Sequence, residues 1–261
     1  GHVATMPFDN YLDGRTPDFL WLRSLLDDSG SGLDKPAAVI VETVQGEGGI
    51  NAASAQWLRE LSDLCREYEI LMIVDDIQMG CGRTGGFFSF EEAGITPDIV
   101  TLSKSISGYG LPMALTLFKR ELDVWEPGEH NGTFRGFNPA MVTGAEALRR
   151  YWKDSSFADA TKAKGHMVAA RLAEIAAEHA EFGAHVRGRG LALGLAFEEA
   201  DIAKRIAAES FDRGLLLETS GPEDEVAKLL PPLTISEEEL TLGLDIMADA
   251  ARAAVKVAQP A

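Results

Sequence analysis

The sequence predicts an α/β fold in which a mostly parallel sheet is flanked by helices and a smaller α/β domain closes the chain. Two observations support this prediction. Short apolar runs rich in β-branched residues recur in the first half of the chain, and an amphipathic helical pattern separates the first two of them. Strand, helix and strand in that order indicate right-handed crossovers and parallel pairing.

Four segments predict the elements of the first part. In chain order they are a strand within residues 37–44, a helix within 54–70, and strands at 71–76 and 98–102. Within the helical segment, Trp57, Leu61 and Leu64 recur at the spacing of one helix face, which predicts that this face is buried.

The carboxyl ends of these strands form the expected binding edge. In open parallel sheets, ligands bind just beyond the ends of the strands. We therefore expect Glu42, Asp75 and the residues after Leu102 to lie near a functional site.

The second part of the chain follows a rise in polarity at KDSSFADATKAKG, just after a predicted helix in NPAMVTGAEALRRYW. We place the C-terminal part of a large domain at residues 1–155 and a small domain at 156–261. The small domain is predicted to contain a long helix through Ala180, strands in GRGLALGLAFE and GLLLETS, and a helix after Pro232. The stretch TISEEEL predicts that this last helix begins with a capping box.

The composition limits the classes of partner. The chain has 261 residues, a formal net charge of -17 and a sequence pI near 4.7. This charge disfavours nucleic-acid phosphates and anionic membrane surfaces as partners. The two cysteines show no zinc-site or disulfide spacing, and no apolar run predicts a transmembrane helix or a signal peptide, so we expect a cytoplasmic protein.

Asp75 and Asp76 stand side by side at the end of an apolar run, in IVDDIQMGCGRTG. They fit three interpretations: solvated loop acids, ligands of a nucleotide hydrolase's Mg²⁺, or an anionic partner for a cofactor's pyridinium nitrogen. The hydrolase interpretation lacks its partner signature, since G-x-x-x-x-G-K-[ST] is absent. The cofactor interpretation requires a lysine further along the chain.

Lys104 supplies such a lysine, because it follows the DIVTL strand at the same edge. A lone lysine after a strand is most often a solvated terminus residue. Here Ser103, Ser105 and Gly108 surround it with small residues, and a lysine withdrawn from water is suited to form a Schiff base.

These residues occur in blocks that resemble the class III, or omega-amino acid, pyridoxal-phosphate aminotransferases of fold type I. In order, the blocks are ETVQGEGG, IVDDIQMGCGRTG, DIVTLSKSISGYGLP, HNGTFRG and PPLTI. Within that family, the longest blocks look most like the enzymes of ectoine biosynthesis. The resemblance implies transfer of the amino group of L-glutamate to L-aspartate 4-semialdehyde, giving L-2,4-diaminobutyrate and 2-oxoglutarate.

The resemblance also implies a role for each residue that matches the family's motifs. Lys104 would hold pyridoxal 5'-phosphate covalently and then act as the base, and Asp75 would lie against the pyridine nitrogen. Ile77 would pack on one face of the ring, and Gln78 would lie near its 3'-oxygen. Thr133 would reach the cofactor phosphate of the neighbouring subunit, which implies a homodimer with shared active sites.

The substrate-binding residues match the family less fully. Glu47 matches a glutamate that pairs with a substrate-gating arginine, but Lys228 stands at the arginine's expected position. Since lysine is a poorer bidentate partner for a carboxylate, Arg135 is a second candidate for holding glutamate; a surface or dimer contact is equally consistent with its position.

Other outcomes stay open at this point. The family's chains begin earlier and carry a Gly-Ser/Thr phosphate-binding turn and a ring-stacking aromatic upstream of the matched blocks, so a fragment is one expectation. Alternatives within the fold are a 4-aminobutyrate or ornithine aminotransferase, or an aminomutase. Outside enzymology, a truncated, non-catalytic chain would also fit.

Overall fold

The computed structural model describes residues 3–11, 19–133 and 135–256. Its helices are α1 (Leu20–Asp27), α2 (Ala55–Glu67), α3 (Asn138–Tyr151), α4 (Ser156–Glu178), α5 (Ala200–Asp212) and α6 (Glu237–Lys256). Its strands are β1 (Ala38–Val41), β2 (Val44–Gln45), β3 (Asn51–Ala52), β4 (Leu71–Asp75), β5 (Ile99–Leu102), β6 (Leu115–Phe118), β7 (His185–Arg189), β8 (Ala192–Ala196), β9 (Glu218–Ser220) and β10 (Val226–Leu229).

The chain forms two compact units. The first comprises Gly1–Thr43, Ala53–Gly80 and Phe88–Lys153, and the second comprises Val44–Ala52, Cys81–Phe87 and Asp154–Ala261. The predicted domain boundary after residue 155 stays a prediction, although the last change of unit falls two residues earlier. The sequence did not indicate that two short segments of the first half belong to the second unit.

The first unit is built on a sheet with the strand order β1-β4-β5-β6. The first two pairings are parallel, and β6 pairs antiparallel with β5. The mostly parallel sheet predicted from the sequence is confirmed, and β6 is an edge strand that the sequence patterns missed. Ser54 caps the start of helix α2, because its side chain accepts the Trp57 N–H, and the apolar face of the helix is buried as predicted.

The second unit is built on an antiparallel sheet with the strand order β7-β8-β10-β9. One core cluster gathers apolar residues of this sheet and of α4, α5 and α6, including Leu172, Leu195, Ile206 and Met247. The segment predicted as a strand in GLLLETS is extended only at its end, as β9, and β10 was not predicted from sequence.

The predicted capping box is present at the start of α6. Ser236 and Glu239 exchange hydrogen bonds, because each side chain accepts the backbone N–H of the other residue. These bonds lower the pKa of the Glu239 carboxyl from its ordinary value, since the Ser236 N–H favours the charged form. None of the helices described is both long and apolar enough to cross a membrane.

Candidate active site

Asp75 is the last residue of β4 and lies opposite Thr101 of β5 in the parallel register. Its Oδ1 accepts the Ile77 N–H at 3.1 Å and the Thr101 hydroxyl at 3.3 Å. Its Oδ2 accepts no hydrogen bond from the residues that the structure describes. The carboxylate is half-buried, so it is held in place and keeps one oxygen open.

Asp76 differs from its neighbour because it is fully buried. Its carboxylate accepts the Ser89 N–H at 3.1 Å and the Ser89 hydroxyl. The Thr43 hydroxyl in turn donates to Ser89 Oγ at 2.6 Å, so the three side chains form a buried polar chain. Buried polar groups need such partners, and we assign Asp76 a structural role beneath the sheet edge.

Lys104 follows β5 by two residues and begins the 3₁₀ turn Lys104–Ser107. Its backbone is left-handed, with φ of 50°, a conformation that costs a lysine about 1–2 kcal/mol. The side chain is exposed, and no hydrogen bond or ion pair engages it among the described residues. Lys104 therefore has a strained backbone and an accessible amine. It lies just beyond the end of β5, the strand that pairs with β4, which ends at Asp75.

Ile77 and Gln78 follow the pair Asp75 and Asp76 and are half-buried. The turn they occupy closes where the Gly80 N–H donates to the Asp76 carbonyl at 2.9 Å. The contacts of both residues with a cofactor stay a prediction.

Thr133 and Arg135 lie in the exposed loop before α3. The Arg135 guanidinium donates to the His130 carbonyl, and its backbone N–H donates to the Gly132 carbonyl at 3.1 Å. No hydrogen bond among the described residues joins this loop to Asp75. The predicted phosphate role of Thr133 and the substrate role of Arg135 remain predictions.

In the second unit, Lys228 of β10 donates to Glu47 Oε1 at 3.0 Å. It also pairs with Glu218 Oε2 of β9 at 3.2 Å. Lys228 is only 3% exposed, whereas the side chains of Glu47 and Glu218 are 74% and 73% exposed. An ammonium withdrawn from water is thus neutralised by two carboxylates at the surface.

Arg83, in the second unit, ties the segment 81–87 to the rest of that unit. Its guanidinium donates to the carbonyls of Leu191 at 3.1 Å and Pro231 at 2.6 Å, and its own carbonyl accepts the Leu191 N–H at 2.9 Å. Burial lowers the pKa of this guanidinium to about 10, because the charged form loses hydration.

Thr101 and Glu218 were missed by the sequence reasoning. The Thr101 hydroxyl donates to Asp75. In the sequence, only its position in the strand predicted to lie beside that of Asp75 could have indicated this role. Glu218 pairs with Lys228 across the β9–β10 register, which cannot be derived while β10 itself is unpredicted.

Comparison with known proteins gives the family. The family model described as "Aminotransferase class-III" matches residues 25–251. The chain belongs to the class III aminotransferases. This confirms the resemblance stated from the sequence motifs, and class III aminotransferases depend on pyridoxal phosphate.

Similar proteins agree with this assignment. A diaminobutyrate-2-oxoglutarate transaminase of Streptomyces avermitilis is 64% identical over 252 residues, which cover 96% of this chain and 60% of that protein. The N-acetylornithine aminotransferase structure from Stenotrophomonas maltophilia is 32% identical, with a TM-score of 0.76 over 93% of this chain and 62% of that one.

A Toxoplasma gondii ornithine aminotransferase structure is 30% identical, with a TM-score of 0.78 over 85% of this chain and 52% of that one. That structure shows partial occupancy of PLP at its active site. These structures confirm the predicted fold type. The present class III aminotransferase chain spans about three fifths of the length of the curated relative from Streptomyces.

The first unit of this class III aminotransferase chain has two side chains that are chemically suited to hold pyridoxal phosphate. Asp75 keeps Oδ2 as an open acceptor for a protonated ring nitrogen, and the amine of Lys104 is accessible. An anionic acceptor favours the protonated form of such a nitrogen.

Proposed function

We propose that this chain belongs to an aminotransferase that moves the amino group of L-glutamate to L-aspartate 4-semialdehyde. The products would be 2-oxoglutarate and L-2,4-diaminobutyrate, as in the first step of ectoine biosynthesis. The observation that supports the proposal most is the pairing of a partly open Asp75 with an accessible Lys104 at the ends of two neighbouring parallel strands. The identity of 64% with a diaminobutyrate-2-oxoglutarate transaminase supports the choice of substrates.

Pyridoxal phosphate, when bound, supplies an electron sink for the carbon that loses its proton. The chain's own residues would bind the cofactor and control the protons. Lys104 would hold the cofactor between turnovers, and its amine would then take the proton from the substrate carbon. The Asp75 carboxylate would hold the proton of the ring nitrogen in place, since its negative charge opposes loss of that proton.

Ile77 and Gln78 would complete this part of the site. Ile77 is an apolar side chain suited to pack against an aromatic ring, and the Gln78 amide is suited to donate to a phenolic oxygen. In the second unit, the Lys228 ammonium would bind a carboxylate of glutamate when the Glu47 side chain turns away. Arg135 is the alternative group for that carboxylate.

The proposal includes a homodimer in which Thr133 reaches the cofactor phosphate of the neighbouring subunit. Exposed apolar side chains in the first unit support it. They are Tyr109, Leu117, Phe118, Val124, Trp125, Phe137, Met141 and Val142. Large apolar side chains are stabilised by burial against a partner, and a second copy of the chain is the proposed partner.

The test of function is a panel of donors and acceptors with the cofactor added. L-Glutamate and L-aspartate 4-semialdehyde should be the preferred pair, and the kinetics should be ping-pong. A preference for 4-aminobutyrate or ornithine over diaminobutyrate in the reverse direction would contradict the assigned substrates.

The test of the shared site is a mixture of two inactive or weakened variants, Lys104→Ala and Thr133→Ala. In a mixed dimer, one site receives both unaltered residues, so random mixing should restore about one quarter of the full activity. If Lys104 and Thr133 served the same subunit's site, mixing would restore none.

A further inference from the structure

The turn that carries Lys104 packs against helix α3 within the first unit. Ile106 and Ser107 of this turn are 6% and 0% exposed, although the Lys104 side chain is exposed. The buried residues of α3 are Ala140 and Gly144, near the start and the middle of the helix. The amine of the lysine is therefore accessible, while the backbone that follows the lysine is enclosed.

Two glycines allow this close packing, one on each side of the contact. A Cβ at Gly144 of α3 would lie 2.8 Å from the Ile106 carbonyl oxygen. A Cβ at Gly108, which ends the turn with φ of 72°, would lie 2.5 Å from the Ala147 Cβ. The atoms met are a backbone oxygen and the first atom of a side chain, so neither can rotate away. An added methyl group would consequently displace the turn or the helix.

Hydrogen bonds hold the same turn on its other sides. The Ser103 hydroxyl donates to the Met113 carbonyl at 2.8 Å, and the Gly110 N–H donates to Ser107 Oγ at 3.1 Å. Lys104 has a left-handed backbone, and a residue other than glycine keeps such a conformation only where the surrounding structure fixes it. The packing of α3 and these hydrogen bonds together supply that restraint.

We infer that Gly144 is a positioning residue for Lys104, because it lets α3 fix the turn from which the lysine reaches the cofactor. This inference rests on the proposed function, in which Lys104 binds pyridoxal phosphate covalently. In that step the unprotonated Lys104 amine attacks the aldehyde carbon. A C=N bond replaces C=O, and the oxygen leaves as water with the two protons of the amine.

The position of the turn should affect this step more than it affects noncovalent binding. Bond formation requires the Lys104 nitrogen to approach one carbon closely, and a displacement of about 1 Å can slow such a step on the order of a hundredfold. Noncovalent affinity is spread over the other contacts of the cofactor. Gly144 thereby controls how fast Lys104 reacts, and other residues control how tightly the cofactor is held.

The test compares two forms of the cofactor on the whole chain, unaltered and with Gly144→Ala. Pyridoxal phosphate can bond to Lys104, whereas pyridoxamine phosphate carries an amine in place of the aldehyde and binds only noncovalently. Ordinary contact begins at 3.4 Å, so the added methyl should move the turn by about half an ångström and slow attachment at Lys104 on the order of tenfold. The affinity for pyridoxamine phosphate should stay unchanged.

Attachment is timed by quenching with borohydride and measuring the Lys104 peptide by mass spectrometry, and calorimetry gives the affinity for pyridoxamine phosphate. Gly243→Ala is the matched control, since Gly243 lies within α6 and an added Cβ would meet Leu215 Cδ1 at an ordinary 3.5 Å. This control should change neither quantity. A general loss of structure would instead lower both together.

A second variant keeps the inference testable if Gly144→Ala does not fold. Ala147→Val enlarges the side chain that lies against Gly108, so it presses on the same turn from the next turn of α3. It should slow attachment at Lys104 and leave the affinity for pyridoxamine phosphate unchanged. An unaltered rate of attachment in this variant would contradict the inference.

The outcomes distinguish the inference from the function on which it rests. Attachment of pyridoxal phosphate at another lysine of the unaltered chain, or no attachment at all, would contradict the proposed function and the inference together. Attachment at Lys104 with equal rates in Gly144→Ala and Gly243→Ala would overturn the role of Gly144 alone. Equal losses of attachment and of pyridoxamine phosphate affinity in Gly144→Ala would overturn it too, because Gly144 would then support the whole site.

Discussion

Asp75 and Asp76 are adjacent in the chain, yet their carboxylates have opposite environments. Asp76 is fully buried against Ser89, whereas Asp75 is half-buried and keeps one oxygen open. This follows from strand geometry, because successive side chains point to opposite faces of a sheet. The pair therefore combines one structural and one chemically available carboxylate.

Exchanging each aspartate for asparagine should separate the two roles. Asp75→Asn should lower turnover on the order of a hundredfold, because a fixed charge near the reacting group is lost, and should barely change stability. Asp76→Asn should destabilise the fold by about 1–3 kcal/mol, because an amide cannot replace both acceptor oxygens. Urea unfolding and steady-state kinetics measure the two effects; equal losses of stability in both variants would contradict the assignment.

Gly188 should tolerate no side chain, because its contacts and its backbone both oppose one. Its φ is 97°, and an added Cβ would lie 2.1 Å from the Ala192 carbonyl oxygen. Gly214 is a matched control with φ of 88° and no atom within 4 Å of an added Cβ. Gly188→Ala should lose about 1–3 kcal/mol more than Gly214→Ala in urea unfolding. Equal losses would contradict the close contacts of Gly188 with Ala192 and Ile50.

Arg83 should contribute to stability through the carbonyls it binds. Arg83→Gln leaves the Leu191 and Pro231 carbonyls without their donor and should cost about 1–3 kcal/mol. Arg66, which pairs on the surface with Asp63, is the control, and Arg66→Gln should cost less than about 0.5 kcal/mol. The free energy of unfolding measures both, and a similar value for the two variants would contradict the role of Arg83.

Cys65 should resist alkylation at neutral pH. It is 2% exposed, and burial raises the pKa of its thiol to about 12, with a smaller contribution from Asp98. Because the folded pKa lies above the ordinary value of 9.0, this group stabilises the fold below pH 9 and that contribution is lost between pH 9 and 12. Iodoacetamide labelling with mass spectrometry checks this. Labelling of Cys65 in the folded chain at pH 8 would contradict the burial.

Much of the fold and part of the candidate site follow from the sequence. Strands β1, β4 and β5 and helix α2 follow from their periodicity, and the blocks around Asp75 and Lys104 indicated the family. The hydrophobic pattern could not predict β10, because this strand, VAKL, is short and contains a lysine, a residue that is usually exposed. The buried position of Lys228 depends on pairing with distant chain segments, and so does its bond to Glu218.

The most direct test of the proposed active site locates the bound cofactor. The chain would be incubated with pyridoxal phosphate, reduced with borohydride and digested, and the labelled peptide identified by mass spectrometry, in parallel with Lys104→Ala. The cofactor should be attached at Lys104, and the variant should carry none at specific stoichiometry. Attachment at another lysine, or equal attachment in the variant, would contradict the assignment of Lys104 and with it the proposed active site.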